Sequence, residues 1–178
     1  TMLGLQSPLT LSKSLTLDQK PITWDKFPWM KTILNDLSPQ VRFRKASQMG
    51  VSTYCILWVM WLCKNQFAKR GVIYWLPNFS LMKDFVTTKV DSLIQENKEL
   101  WENSANNKDT YNLGLKYIYN IPTYWRGLES KAGVKSISAD CAIYDEFDEA
   151  DLSQLRQARE RLSASSVKWE RELSVPTI

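Results

Sequence analysis

At 178 residues the chain has the length of one domain, and 44% hydrophobic residues with eight tryptophans suffice for a core of its own. A net charge of +4 is too mild to announce nucleic acid by itself, and the absence of histidine excludes Cys/His zinc sites and histidine-based triads. The three cysteines, Cys55, Cys63 and Cys141, all lie in apolar runs and suit buried thiols in a reducing cytosol better than disulfides.

Residues 1–19, rich in Ser, Thr and Leu, read as a flexible N-terminal arm, and residues 20–178 as the folded domain. Val41 to Arg44 alternates as a short strand should, Lys45 to Val51 forms a glycine-bearing loop, and Ser52 opens a long apolar helix. The most apolar stretch, Tyr54 to Cys63, is only about half the length needed to span a bilayer and is closed by Lys64, so it predicts a buried helix and no membrane partner. Gly71 is expected to stop that helix. Val72 to Leu76 then reads as a buried strand, and Pro77-Asn78 turns into a helix from about Ser80 to Lys98.

Residues 102–110 are polar and unpatterned, which predicts a surface loop. Leu113 to Tyr119 and Ile121 to Arg126 alternate like a hairpin, and the apolar run Cys141 to Tyr144 ends in two adjacent acids. Asp151 is placed to cap a helix running to about Ala164, on which Arg156, Arg159 and Arg161 are expected on a solvated face. Val167 to Val175 supplies a last strand beside the one that ends at Asp145. Strands alternating with helices predict an α/β fold, a mostly parallel sheet covered on both faces.

Chemistry concentrates at two places. A strand, loop and helix around Lys45 to Thr53 turn backbone N–H groups toward an anion, and the helix N-terminus adds its partial positive charge. Of the pattern G-x-x-x-x-G-K-[ST], only Gly50 and Ser52 match, since Lys45 stands for the first glycine and Val51 for the lysine. An ordinary strand-to-helix turn would also explain this loop alone. At the second place, Asp145 sits at a strand tip where it can hold Mg²⁺, and Glu146 beside it can deprotonate an attacking water. A solvated acidic turn, with Asp148, Glu149 and Asp151, is the plainer alternative. Taken together the two places point to nucleotide hydrolysis.

The runs Lys20-Pro21-Ile22-Thr23-Trp24-Asp25-Lys26-Phe27-Pro28-Trp29-Met30 and Ile33-Leu34-Asn35-Asp36-Leu37-Ser38, followed by Lys45-Ala46-Ser47-Gln48-Met49-Gly50-Val51-Ser52-Thr53, resemble the ATPase domain of the large terminase subunit of tailed bacteriophages. Lys135 to Glu149 resembles the family's Walker B segment, and Leu173-Ser174-Val175-Pro176-Thr177 its coupling motif. The resemblance spans roughly residues 20 to 178. It implies a P-loop NTPase fold of the ASCE type and ATP-driven packaging of double-stranded viral DNA into a prohead. The C-terminal nuclease domain of full-length members is not expected in this sequence.

The resemblance also implies site residues. ATP would lie on Lys45, Ala46, Ser47, Gln48, Met49, Gly50, Val51, Ser52 and Thr53, with Lys45 as the displaced phosphate lysine. Mg²⁺ would be held by Ser52 and Asp145, Glu146 would activate water, and Ser174, Pro176 and Thr177 would couple hydrolysis to DNA movement. Trp24, Phe27 and Trp29 would face the adenine, or else form an aromatic cluster that closes the core. The family's arginine position ahead of the two acids holds Lys135 here, which leaves Lys135, Arg126 and Arg44 as candidates for the arginine finger. The implied partners are portal protein, the small terminase subunit and further copies in a homo-oligomeric ring on the portal, in the cytoplasm of the infected host. A helicase or translocase of the same superfamily and a non-hydrolysing P-loop module are the alternative readings.

Overall fold

A computed structural model of the chain describes residues 7–46, 48–104, 112–129, 137–146, 148 and 152–174. A short ribbon, β1 (Thr16–Leu17) with β2 (Lys20–Pro21), precedes the strands of the main sheet: β3 (Gln40–Arg44), β4 (Val72–Leu76), β5 (Leu115–Ile118), β6 (Ile121–Gly127), β7 (Cys141–Tyr144) and β8 (Trp169–Ser174). Their order is β3-β8-β7-β4-β6-β5. Every pairing is parallel except the β5–β6 hairpin. β8 therefore separates the strand that leads into the loop from the strand that ends in the acids, as the ASCE-type arrangement requires.

The burial pattern follows from position in the sheet. β4 and β7 are buried at every residue, which is why their sequences are unbroken apolar runs rather than alternating ones. β3, at the edge, alternates exposed and half-buried residues. After α1 (Pro8–Lys13) and α2 (Met30–Leu34), one face of the sheet is covered by α3 (Val51–Lys64), whose residues Tyr54 to Cys63 are all buried. The other face receives α7 (Leu152–Arg159) and the turn after it, with Leu155, Ala158 and Leu162 packed on Ile73, Trp75, Ala142 and Tyr144. Among the described residues no helix is long and apolar enough to cross a membrane.

Several expectations are corrected. From Ser7 onward the expected arm belongs to the core: α1 (Pro8–Lys13) buries Leu11, Leu15 is buried behind it, and Trp24 Nε1 donates to Ser12 Oγ at 3.0 Å. Its Ser/Thr/Leu composition hides an amphipathic turn capped by Ser7, whose hydroxyl accepts from Thr10 N–H. The long helix expected over 80–98 is broken into α4 (Phe79–Phe85), a π-helical turn (Val86–Val90) and α5 (Asp91–Glu96), and α6 (Lys98–Ser104) follows. Thr87 and Thr88 hydroxyls donate back to the Lys83 and Asp84 carbonyls, a competition that widens the backbone ladder there.

Glu102 to Ser104 lie in α6 rather than in a loop. α3 ends at Lys64 without help from Gly71. Gly71 has φ 120, and a Cβ there would come 2.8 Å from the Pro122 carbonyl, so it serves the close approach of β4 to β6. Helix α7 ends at Arg159 and gives way to a 3₁₀ turn, Glu160–Leu162. Arg159 is not simply solvated, because it pairs with the buried Glu172 of β8. Asp151, the expected cap, lies outside the described residues.

Candidate active site

β3 leads directly into the loop, where the Lys45 N–H donates to the Ser174 carbonyl of β8 at 2.9 Å. Gln48 and Gly50 take φ values of 60° and 74°. A Cβ on Gly50 would meet only ordinary contact with Phe27 at 3.5 Å, so the left-handed backbone itself is what calls for glycine. Gly50 is the N-cap of α3, and the first bond of the helical ladder runs from Tyr54 N–H to its carbonyl at 3.0 Å. The N–H groups of Val51, Ser52 and Thr53 thus stand ahead of the ladder at the positive end of a 14-residue helix. Ser47 lies outside the described residues.

Three of the expected residues meet here. Lys45 Nζ is 3.2 Å from Ser52 Oγ, to which it donates, and 3.2 Å from Asp145 Oδ1. The Lys45 and Asp145 side chains are 8% and 3% exposed, so this is a buried ion pair. It is one of charge rather than of a directed bond, because Oδ1 accepts no well-aligned hydrogen bond. The other carboxylate oxygen, Oδ2, accepts from the Tyr74 hydroxyl at 2.8 Å. Burial first, and then the Asp145 charge, push the Tyr74 phenol far above its ordinary range, which keeps it a protonated donor. Tyr74 is a residue that sequence reasoning passed over, since within Val72 to Leu76 it reads as one more buried strand position.

The side chains present fit a divalent cation. Asp145 Oδ1 is a buried anionic oxygen lacking a directed donor, and Ser52 Oγ approaches the same ammonium, so Lys45 stands where a metal would find two oxygens. Among the described residues no group of three or more acidic or cysteine side chains could hold an ion alone, so phosphate or water oxygens would complete its shell. Glu146 follows with φ 56°, half-buried. A left-handed glutamate is held only where its surroundings impose it, a kind of strain that recurs at functional sites.

Trp24 is buried in the core and also borders the cleft that Phe27 lines. Phe27 lines, with Leu17, Ile22, Gly50 and Thr53, a cleft of about 230 Å³ beside the start of α3. Trp29, 41% exposed and edge-on to Phe27 at 5.5 Å, lines a second cleft of about 230 Å³ with Phe43, Arg44, Lys45, Ala46 and Met49.

Among the described residues, the remaining candidates make no bond to the ion pair itself. Arg126 is tied to the Gly114 and Trp125 carbonyls and lies over the Tyr124 ring at 5.6 Å. Arg44 is exposed at the end of β3. Ser174 touches the loop through its carbonyl. Lys135, Pro176 and Thr177 lie outside the described residues.

No curated protein and no solved structure matches the chain. The family model described as phage terminase large subunit gpA, ATPase domain, matches residues 18–169, from the β1–β2 turn through the loop and both acids to the start of β8. With most of its length matched and a mostly parallel sheet of the P-loop type, the chain belongs to the ATPase-domain family of the phage terminase large subunit gpA.

Proposed function

We propose that this domain hydrolyses ATP with Mg²⁺ to drive packaging of double-stranded viral DNA into a prohead, in the cytoplasm of the infected host. The observation that carries the reading is Lys45 bridging Ser52 and Asp145 at the head of α3, which joins the loop and the acid pair in one place.

In this reading the N–H groups of Val51, Ser52 and Thr53 receive phosphate oxygens, and the Lys45 ammonium leaves Asp145 to reach the β/γ-phosphates. Ser52 Oγ and Asp145 Oδ1 would hold the metal, which would supply charge neutralisation at the phosphate oxygens. Glu146 takes the proton of the attacking water as its oxygen bonds to the γ-phosphorus and ADP departs. The base lies in the cleft lined by Phe27, where an apolar wall and the Thr53 hydroxyl suit a flat heteroaromatic ring. Ser174, hydrogen-bonded through its carbonyl to the Lys45 N–H, ties the end of β8 to the phosphate loop.

The partners that follow are DNA, the portal protein, the small terminase subunit and further copies in a ring on the portal. Phosphate release from ATP in the presence of Mg²⁺, measured for the chain and for Glu146→Ala, tests the reading. Turnover that the substitution leaves intact, or no nucleotide binding at all, overturns it.

A further inference from the structure

We infer that Tyr74 is a positioning residue that fixes the plane of the Asp145 carboxylate so that Oδ1 alone is presented to a metal bound with the nucleotide. The inference rests on the reading of Lys45, Ser52 and Asp145 as an ATP–metal site.

Tyr74 and Ile143 are register partners on β4 and β7, and the Asp145 N–H continues that ladder to the Trp75 carbonyl at 3.0 Å. Side chains alternate along a strand, so Ile143 and Asp145 point to the same face as Tyr74, the face covered by α3. A carboxylate at a strand tip can turn about its last bond. Here one oxygen is held by a phenol that is 0% exposed and packed in a three-ring cluster with Trp125, stacked on it at 5.0 Å and 27°, and Phe85, also at 5.0 Å. Phenylalanine would fill that stack equally well. What the hydroxyl adds is the bond to Oδ2, which leaves Oδ1 as the oxygen facing Lys45 and Ser52. Partners of this kind, which orient a ligand without touching the metal, typically contribute about 10- to 100-fold to metal affinity or activity.

The test separates metal from nucleotide. Affinity for a non-hydrolysable ATP analogue is measured in EDTA and in Mg²⁺ for the chain, Tyr74→Phe, Asp145→Asn and the double variant. Tyr74→Phe should keep the metal-free affinity and lose about tenfold or more of the tightening that Mg²⁺ brings. In the Asp145→Asn background it should lose nothing further, because its effect passes through that carboxylate. If the hydroxyl served only to stabilise the fold, Tyr74→Phe would lower the unfolding temperature and leave the Mg²⁺ tightening unchanged, and that result overturns the inference alone. An unsubstituted chain that binds no nucleotide, or binds it with no help from Mg²⁺, overturns the site reading and the inference together.

If Tyr74→Phe does not fold, the unsubstituted chain is labelled with ¹³C at the hydroxyl-bearing carbon of tyrosine. The Tyr74 resonance is distinguished from those of the other buried tyrosines with Tyr54→Phe and Tyr144→Phe. It should move when Mg²⁺ is added to the nucleotide-loaded protein, and a resonance that stays in place overturns the inference.

Discussion

The Lys45 ammonium lies 3.2 Å from Asp145 Oδ1, buried, and donates to Ser52 Oγ at 3.2 Å, so one cation ties the head of α3 to the end of β7. In the proposed function nucleotide draws that lysine to its phosphates. Lys45→Ala should weaken ATP binding by about 1.5–3 kcal/mol, roughly 10- to 150-fold, the range for a lost hydrogen bond to a charged group. Val51 holds the position of the usual lysine, yet its side chain is 5% exposed and packs in the core. Val51→Ala should cost about 1–2 kcal/mol of stability and far less in nucleotide affinity. Equilibrium binding and denaturant unfolding of both variants check the asymmetry, and a liganded structure with Lys45 turned from the phosphates would falsify it.

Glu146→Ala separates binding from chemistry. Glu146 follows Asp145 directly, with its backbone at φ 56°. Nucleotide affinity should stay near the parent value while hydrolysis falls by about two to four orders of magnitude, the usual range for a general base. Turnover within a few-fold of the parent removes Glu146 from the mechanism.

What was legible in the sequence was local. The β3–loop–α3 unit and the acids after β7 announce themselves through composition over a few adjacent residues, and the short apolar runs at Val72 to Leu76 and Cys141 to Tyr144, bounded by turn residues, read as buried strands. What was not legible depends on partners distant in the chain. Tyr74 gains its role from Asp145, and the Trp24 indole from Ser12. The π-helical turn arises from side chains competing with the backbone, which apolar spacing does not record.

Arg171 is the largest such omission. It is fully buried, lies over the Trp58 ring at 3.8 Å, and donates to the Tyr54 hydroxyl and to the carbonyls of Ser38, Pro39 and Glu170. One guanidinium on β8 thus pins the segment before β3 to α3, the helix that follows the loop. Arg171→Met keeps much of the volume but orphans these acceptors, and should cost about 3 kcal/mol or more. Urea unfolding midpoints measure it; a loss below about 1 kcal/mol, the worth of one ordinary hydrogen bond, would show that water replaces the contacts.

The N-terminal segment provides a separate check on the corrected arm. Leu11 is 0% exposed and sits in the cluster built on α3. Leu11→Ala should destabilise the domain by about 2–5 kcal/mol, as deletion of a buried leucine side chain does elsewhere. A change near zero in thermal or urea unfolding would restore the picture of a loosely attached arm.

The last prediction concerns assembly. A site that borrows a cation from its neighbour is incomplete in a lone subunit, so the isolated domain should be mainly monomeric and slow. Its specific activity should rise with protein concentration, or on a template that forces ring formation, because a supplied finger is worth roughly 10³-fold or more. Arg126 must release the Gly114 carbonyl and the Tyr124 ring before it can reach another subunit, whereas Arg44 already stands beside Lys45. Mixing experiments find the donor. An Arg126→Ala or Lys135→Ala subunit combined with excess Glu146→Ala subunits should regain activity if the changed residue acts in trans, since the Glu146 variant still donates its finger. If a strictly monomeric domain turns over ATP independently of its concentration, and no mixture rescues the variants, the cation acts within one subunit and the assignment passes to Arg44.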